Sequence, residues 1–224
     1  LRETAKSDRL LDYDDTLYPD AHAVLVNELR DSGCAVAFAG IALKGVAASA
    51  AVPLGIGIAR TGRMSGHGLL DAFRQGFCQF HGMLVDRTRI APEDLRLDES
   101  LPIYEDYDWH LQLGARHPFS YAAIDQIVGD YRQRDDGSNT ISLRHKNDAH
   151  KLAFWQFWAA EIESRRSRIE IAPAIQVRLG IDPPRPGLTI RRLLDLVDCR
   201  QIALRADTVL LPRVATYDSA DVMP

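Results

Sequence analysis

Cysteine is scarce: Cys34, Cys78 and Cys199 are the only three in 224 residues, and no two form a CxxC pair. An odd, widely spaced set excludes a disulfide framework and a zinc knuckle, and suits reduced thiols in a cytosolic protein. Long hydrophobic runs are missing as well. The most apolar window, residues 45–59, is rich in alanine and glycine, interrupted by Pro53 and flanked by Lys44 and Arg60. It is too short and too weakly apolar to span a bilayer. No basic stretch followed by an apolar one opens the chain, so no signal peptide is visible. Neither sign of charge dominates. A net charge of −4 and a pI near 6.0 give no global reason to bind nucleic acid or an anionic membrane. What is present is ordinary globular material, 46% hydrophobic and 26% charged, in a length that suits one large domain or one and a half smaller ones.

Strands alternating with helices predict an α/β fold. Arg9-Leu10-Leu11 reads as the end of a buried strand, with Asp12, Asp14 and Asp15 at its C-terminal edge. An amphipathic helix is expected over 21–30, stopped by Ser32-Gly33, and a strand over 35–39. Residues 40–68 read as loops with one or two short strands, and 76–85 as extended chain before a turn or helical start at 86–90. A helix should start at Glu105-Asp106 and run to about Arg116, followed by strand-like residues 119–127 and a polar turn at 135–139. Residues 150–165, with Leu152, Phe154, Trp155, Phe157, Trp158 and Ile162, read as the strongest amphipathic helix of the chain. After Pro183-Pro184-Arg185-Pro186, a helix around 188–197 and a strand-like 202–211 mark residues 166–224 as an appendage or the start of a further module.

Asp12-Tyr13-Asp14-Asp15 is the most informative tetrapeptide. Carboxylates crowded at a strand end repel one another, and a bound cation relieves that repulsion. Hard oxygen ligands favour Mg²⁺ or Mn²⁺, which share their shell with phosphate oxygens. The plainer reading is a solvated acidic turn. Asp12 to Leu17 fits the DxDx(T/V)L signature of haloacid-dehalogenase-like phosphatases. That resemblance implies Asp12 as nucleophile, Asp14 as general acid/base and Gly129-Asp130 with Asp135 and Asp136 as a distal acidic motif. It lacks the Ser or Thr expected at the end of the next core strand, which here ends Phe38-Ala39-Gly40.

Leu11 to Asp20 also resembles the LDxDD…PD segment of family 2 glycosyltransferases, and here the match continues. Phe80-His81-Gly82-Met83-Leu84-Val85-Asp86-Arg87, then Leu97-Asp98-Glu99-Ser100-Leu101, then Tyr104-Glu105-Asp106-Tyr107-Asp108-Trp109-His110-Leu111 follow that family's order of a strand, an Arg-containing turn, FDESL and xEDxDxW. The resemblance extends through Tyr131-Arg132 to Gly137-Ser138-Asn139 and covers about residues 8 to 165. It implies a GT-A fold, a Rossmann-like mixed sheet flanked by helices, incomplete at its N-terminus. The upstream nucleotide-binding half found in that family has no counterpart before Asp12, so residues 1–165 correspond to the C-terminal part of such a domain.

The resemblance further implies a metal-dependent inverting glycosyltransferase that moves a sugar from a nucleotide-sugar donor, a UDP-sugar by preference, to a glycan or lipid-linked polysaccharide precursor. Asp106 matches the catalytic base, and a helix N-terminus favours its ionised form. Asp14 and Asp15 are the metal ligands, Mn²⁺ or Mg²⁺. Asp12, Asp14, Arg132 and Ser138 are donor-side residues, and His81, Glu105 and Trp109 acceptor-side ones. Each has a plainer alternative: helix-start acids for Glu105 and Asp106, a surface arginine for Arg132, a packed histidine for His81 and a core indole for Trp109. The expected location is the cytosol, extending to the periphery of the inner membrane. A non-catalytic glycan-binding module is the remaining class.

Overall fold

The computed structural model describes residues 7–8, 15–46, 61–64, 68–74, 80–134 and 148–204. In chain order the elements are β1 (Ser7–Asp8), β2 (Thr16–Leu17), α1 (Ala21–Ser32), β3 (Val36–Val46), β4 (Thr61–Met64), α2 (Gly68–Arg74), a 3₁₀ turn (Phe80–Gly82) and β5 (Met83–Asp86). They continue with α3 (Glu105–Arg116), β6 (Phe119–Arg134), α4 (Ala149–Arg166), α5 (Pro173–Arg178) and α6 (Ile190–Asp198). The strands form one mixed sheet in the order β1-β5-β3-β6-β2, with β4 also pairing β3. Among the described strands, only β3 and β6 run parallel. This is the mixed α/β architecture that the alternation of apolar segments predicts.

The period-2 alternation of β3 and β5 divides the core between the two faces of the sheet. Ala37, Ala39 and Ile41, with Leu84 of β5, meet Ala21, Leu25 and Leu29 of α1. Val36 and Phe38, with Met83 and Val85, face the opposite way, toward α2, α3 and the C-terminal helices. Burying each Leu or Ile of this kind stabilises the fold by about 1.5–3 kcal/mol relative to exposure. Helix α1 ends where Gly33 takes up φ 63° and returns its N–H to the Leu29 carbonyl.

The structure departs from the sequence reading in four places. Residues 40–46 are strand rather than loop, because β3 continues in parallel register with β6, from Val36↔Phe119 to Val46↔Arg134. That register slips at Gly40: Ala39 pairs Ala123, but Gly40 pairs Ile127, so β6 bulges outward there. A β-carbon on Gly40 would sit 2.6 Å from the Ile124 carbonyl oxygen, so the bulge needs glycine opposite it. Within 80–85, Phe80–Gly82 is a 3₁₀ turn and only Met83 onward is strand. Third, α4 is not the most one-sided helix. Only Ile162 is buried, while Leu152, Phe154 and Phe157 are 42%, 43% and 65% exposed. Its aromatic residues wind around the axis, whereas α6 stacks Ile190, Leu193, Leu194 and Val197 at i, i+3, i+4 and i+7. Fourth, 202–204 form no strand, and the remainder of the expected strand, 205–211, lies outside the described residues.

The boundary at 165/166 falls inside α4. Ile169, Ile171, Ile175, Leu179, Ile190 and Leu193 lie in the same core cluster as Phe38, Phe73 and Leu113. Residues 167–204 therefore close the second face of the sheet. The predicted strand before Asp12 and the polar turn at 135–139 lie outside the described residues. Among the described residues, no helix is long and apolar enough to cross a membrane.

Candidate active site

Strand β2 is two residues long and antiparallel to β6, pairing Thr16 with Asp130 and Leu17 with Gly129. This short ladder carries the end of the acidic motif into the protein interior. Asp15 is buried, its side chain 1% exposed. Its Oδ1 accepts the Arg132 backbone N–H at 3.0 Å. Its Oδ2 lies 3.1 Å from Nδ1 of His81, a side chain equally buried. One residue along, Asp130 accepts the Tyr18 hydroxyl at 2.6 Å and the Thr16 hydroxyl at 3.3 Å. Asp130 thus ties β2 to β6 by hydrogen bonds, and Asp15 joins the β6 backbone to the 3₁₀ turn through one hydrogen bond and one close carboxylate–imidazole contact.

Gly129 is what allows the approach. A β-carbon there would lie 2.4 Å from the Thr16 carbonyl oxygen and 3.1 Å from His81 Cδ2. Neither the backbone nor a fully packed imidazole can move away cheaply. Gly129→Ala is expected to destabilise the protein by about 1–3 kcal/mol. Urea unfolding checks it: a midpoint equal to wild type would mean that β2 and His81 are not held as tightly as the geometry requires.

The 3₁₀ turn also reaches α3. Phe80 packs edge-on against Trp109 and His110, with ring centroids 5.7 and 6.0 Å away, while its neighbour His81 meets Asp15. Three separate stretches of the sequence, around residues 15, 81 and 132, therefore converge, and the start of α3 packs on the middle one.

Helix α3 begins with an unusual residue. Tyr104 at its N-cap has φ 64° and ψ 14°, the left-handed region, which costs a bulky residue about 1–2 kcal/mol. Glu105, Asp106 and Asp108 follow in the first turn, where the helix dipole stabilises negative charge. Asp106 Oδ1 accepts the Tyr107 N–H at 2.6 Å. Burial, and then the charge of Asp106, push the Tyr104 phenol up from its usual range, so that hydroxyl remains a proton donor near the carboxylate.

The first turn is clamped from α4. Arg165 Nη1 binds Asp98 Oδ2 at 2.8 Å and Asp108 Oδ2 at 3.1 Å. Arg166 hydrogen-bonds the Tyr107 hydroxyl, with its guanidinium carbon 5.3 Å from the ring centroid. The Ser100 hydroxyl and then Arg165 hold Asp98 down at about 2. Burial raises Asp108 despite Arg165. Sequence reasoning had no signal for either arginine, since their partners lie 57 to 67 residues away. Tyr18 was equally illegible: only the β2–β6 pairing brings it to Asp130.

Of the residues singled out from the sequence, Asp15, His81 and Arg132 are brought together, Arg132 through its backbone N–H. Glu105 and Asp106 are half-buried at the start of α3. Trp109 is 6% exposed and its indole N–H donates to the Asp94 carbonyl at 3.0 Å. Asp12, Asp14 and Ser138 lie outside the described residues. The described residues alone do not fit a divalent metal. Both Asp15 oxygens are engaged by Arg132 and His81, and no group of three His, Cys, Asp or Glu suited to a metal occurs among the described residues.

Comparison with protein-family models, with curated proteins and with solved structures returned no match for this chain.

Proposed function

We propose that the protein is an inverting glycosyltransferase of the family 2 type, acting on a nucleotide-sugar donor and a glycan or lipid-linked hydroxyl. The observation that carries this reading is the convergence just described. The acidic motif, the Phe80-His81-Gly82 segment and Tyr131-Arg132 were matched to one family from the sequence alone, in order. In the fold they meet around the buried Asp15, and Trp109 and His110 of α3, the helix that Glu105-Asp106 open, pack on Phe80 of the same turn. An accidental likeness gives no reason for segments 50 to 117 residues apart to meet: Asp15 and Arg132 are separated by 117.

In this reading the acceptor hydroxyl attacks the anomeric carbon as its bond to the diphosphate breaks, inverting the centre. Asp106 takes the hydroxyl proton, held ionised by its place in the first turn of α3. Tyr104 and the Arg165–Arg166 clamp orient that turn. His81 lines the acceptor side and steadies Asp15, which in turn fixes the Arg132 backbone on the donor side. A Mn²⁺ or Mg²⁺ would need Asp14, which lies outside the described residues, because Arg132 and His81 already engage both oxygens of Asp15; held there it would supply neutralisation of the departing diphosphate.

The test is nucleoside diphosphate release from a panel of nucleotide sugars with Mn²⁺ or Mg²⁺, with and without chelator. Release from one donor, abolished by chelator, supports the transferase and identifies its donor. Asp15→Ala, which leaves His81 and the Arg132 N–H without their acceptor, is expected to weaken donor binding at least about tenfold, the worth of one charged hydrogen bond. Calorimetric titration of donor measures this, and unchanged affinity in a folded variant would remove Asp15 from the donor site.

One observation favours a second reading. Asp130 stands directly across the β2–β6 ladder from Thr16, so the distal acid of a phosphatase site lies beside the DxDx(T/V)L motif. Phosphate release from p-nitrophenyl phosphate, with no diphosphate release from any sugar donor, would favour the phosphatase with Asp12 as nucleophile. Activity in neither assay would favour a glycan-binding module.

A further inference from the structure

Helix α4 is anchored mainly at one end. Its last turns carry Ile162, the buried residue of the helix, and Arg165 and Arg166, which reach Asp98, Asp108 and Tyr107. In the turns before them Trp158 packs on the core cluster, while Phe154 and Phe157 stand 43% and 65% exposed. Both phenyl rings lie edge-on to the Trp158 indole, with centroids 6.4 and 5.2 Å away, so one aromatic group runs from the core out to solvent. A helical segment of three turns is marginal in water unless a face of it is packed.

At about 100° per residue, Ala153, Phe157, Ala160 and Ser164 form a stripe on the side of α4 away from Ile162. His150 starts that stripe, and Phe154 and Glu161 lie along one edge of it. All of these are exposed except Glu161, which is half-buried. Among the described residues no other element covers Phe154 or Phe157.

Charge and shape decide the occupant. The stripe carries no lysine or arginine, Lys151 lies about 120° round the helix from Phe157, and the arginines that end α4 turn inward. An anionic lipid surface therefore finds little to attract it. The stripe is instead complementary to itself. Phe157 is bulky, and Ala153, one turn earlier, is small. A second copy laid antiparallel and centred near Trp155 sets each Phe157 over Ala153 of the other copy and brings the two Phe154 rings together at the axis. The same register places His150 beside Glu161 of the other copy, a carboxylate that also holds Arg165 and Arg168 through Oε1. It opposes the two helix dipoles as well. Parallel pairing would set Glu161 against Glu161 and align the dipoles. We infer that this face of α4 is a two-fold interface between copies of the chain. This goes beyond the transferase reading and does not require it.

Sedimentation velocity of the 224-residue chain from about 1 to 200 µM is the experiment. A dimer of about 50 kDa, twice the 25.0 kDa chain, should form with a dissociation constant on the order of 10 µM. Phe157→Glu and Ala153→Glu, both at exposed positions, should each weaken it at least about tenfold while circular dichroism shows the fold retained. Leu152→Ser, about 140° round the helix from Phe157, should leave the dimer unchanged. A wild-type chain that stays monomeric over the whole range overturns the inference. So does a dimer that both glutamate variants leave intact, or one that only Leu152→Ser disrupts. A monomer that floats with phosphatidylglycerol vesicles would assign the face to a lipid surface instead. The measurement reads no transfer, so failure of the transferase reading leaves its result intact, and the reverse holds too.

Discussion

Asp106→Asn is expected to lower the transfer rate at least about 100-fold, the usual loss when a general base is removed. Donor affinity and thermal stability should stay at wild-type values. The geometry makes this a clean substitution. Asp106 Oδ1 accepts the Tyr107 N–H at 2.6 Å, and an asparagine carbonyl keeps that bond and the shape of the side chain. The ability to take a proton is what disappears. Glu105→Gln is the matched control, since Glu105 shares the first turn of α3 and the same helix dipole. It should retain transfer within a few-fold. Steady-state kinetics with the donor found by the panel assay separates the two. Full activity in Asp106→Asn would withdraw the base assignment, and loss in Glu105→Gln alone would move it one residue.

The second large effect is acid destabilisation through His110. Its ring is buried against Phe38, Phe80 and Trp109, with Met83 Sδ 3.0 Å from Nε2, and among the described residues no charged group lies against it. Burial therefore lowers His110 from 6.5 to about 4 in the folded protein. Between those values the unfolded chain binds the proton and the folded one does not, so stability falls as pH falls. The loss begins near 6.5, is complete near 4 and amounts to about 3 kcal/mol. Asp98, held at about 2, acts in a lower window: its contribution is present above its ordinary 3.8 and is lost toward 2. Urea midpoints at a series of pH values measure the slope. His110→Phe, which keeps an aromatic ring in an aromatic pocket, should flatten the curve between the two His110 values. An unchanged slope in that variant would assign the acid sensitivity elsewhere.

Helices α1 and α3 were legible because their ends carry local signals, Gly33 after α1 and acids opening α3, and α6 was legible as a helix around 188–197, though its Thr189 cap emerged only in the structure. Helix α4 was legible as a helix but not in what it does. A run of aromatic residues suggested a buried face, yet only Trp158 of them packs on the core cluster among the described contacts, beside Ile162, while Glu163 and the two terminal arginines engage neighbouring elements through polar contacts. Hydrophobicity counts residues, and burial depends on whether they share a face that meets a partner. The extension of β3 through residue 46 was hidden for a similar reason. Glycine and lysine in Gly40 to Gly45 read as loop, and parallel pairing with β6 overrides that local preference.

By itself the sequence determined the mixed α/β class, the positions of most helices, the absence of a long apolar helix among the described residues, and the residues worth suspecting at the site. These follow from local spacing and side-chain chemistry, which a linear chain displays directly. Only the tertiary structure decided which suspects meet. It brought Asp15 to His81 and to the Arg132 backbone, set Asp130 across from Thr16, and turned Trp109 into a core residue with its N–H satisfied. It also joined residues 167–204 to the main core and left Phe154 and Phe157 of α4 exposed. Those outcomes depend on contacts across tens to more than a hundred residues, set by sheet register and by close packing, and neither is written in any local stretch of sequence.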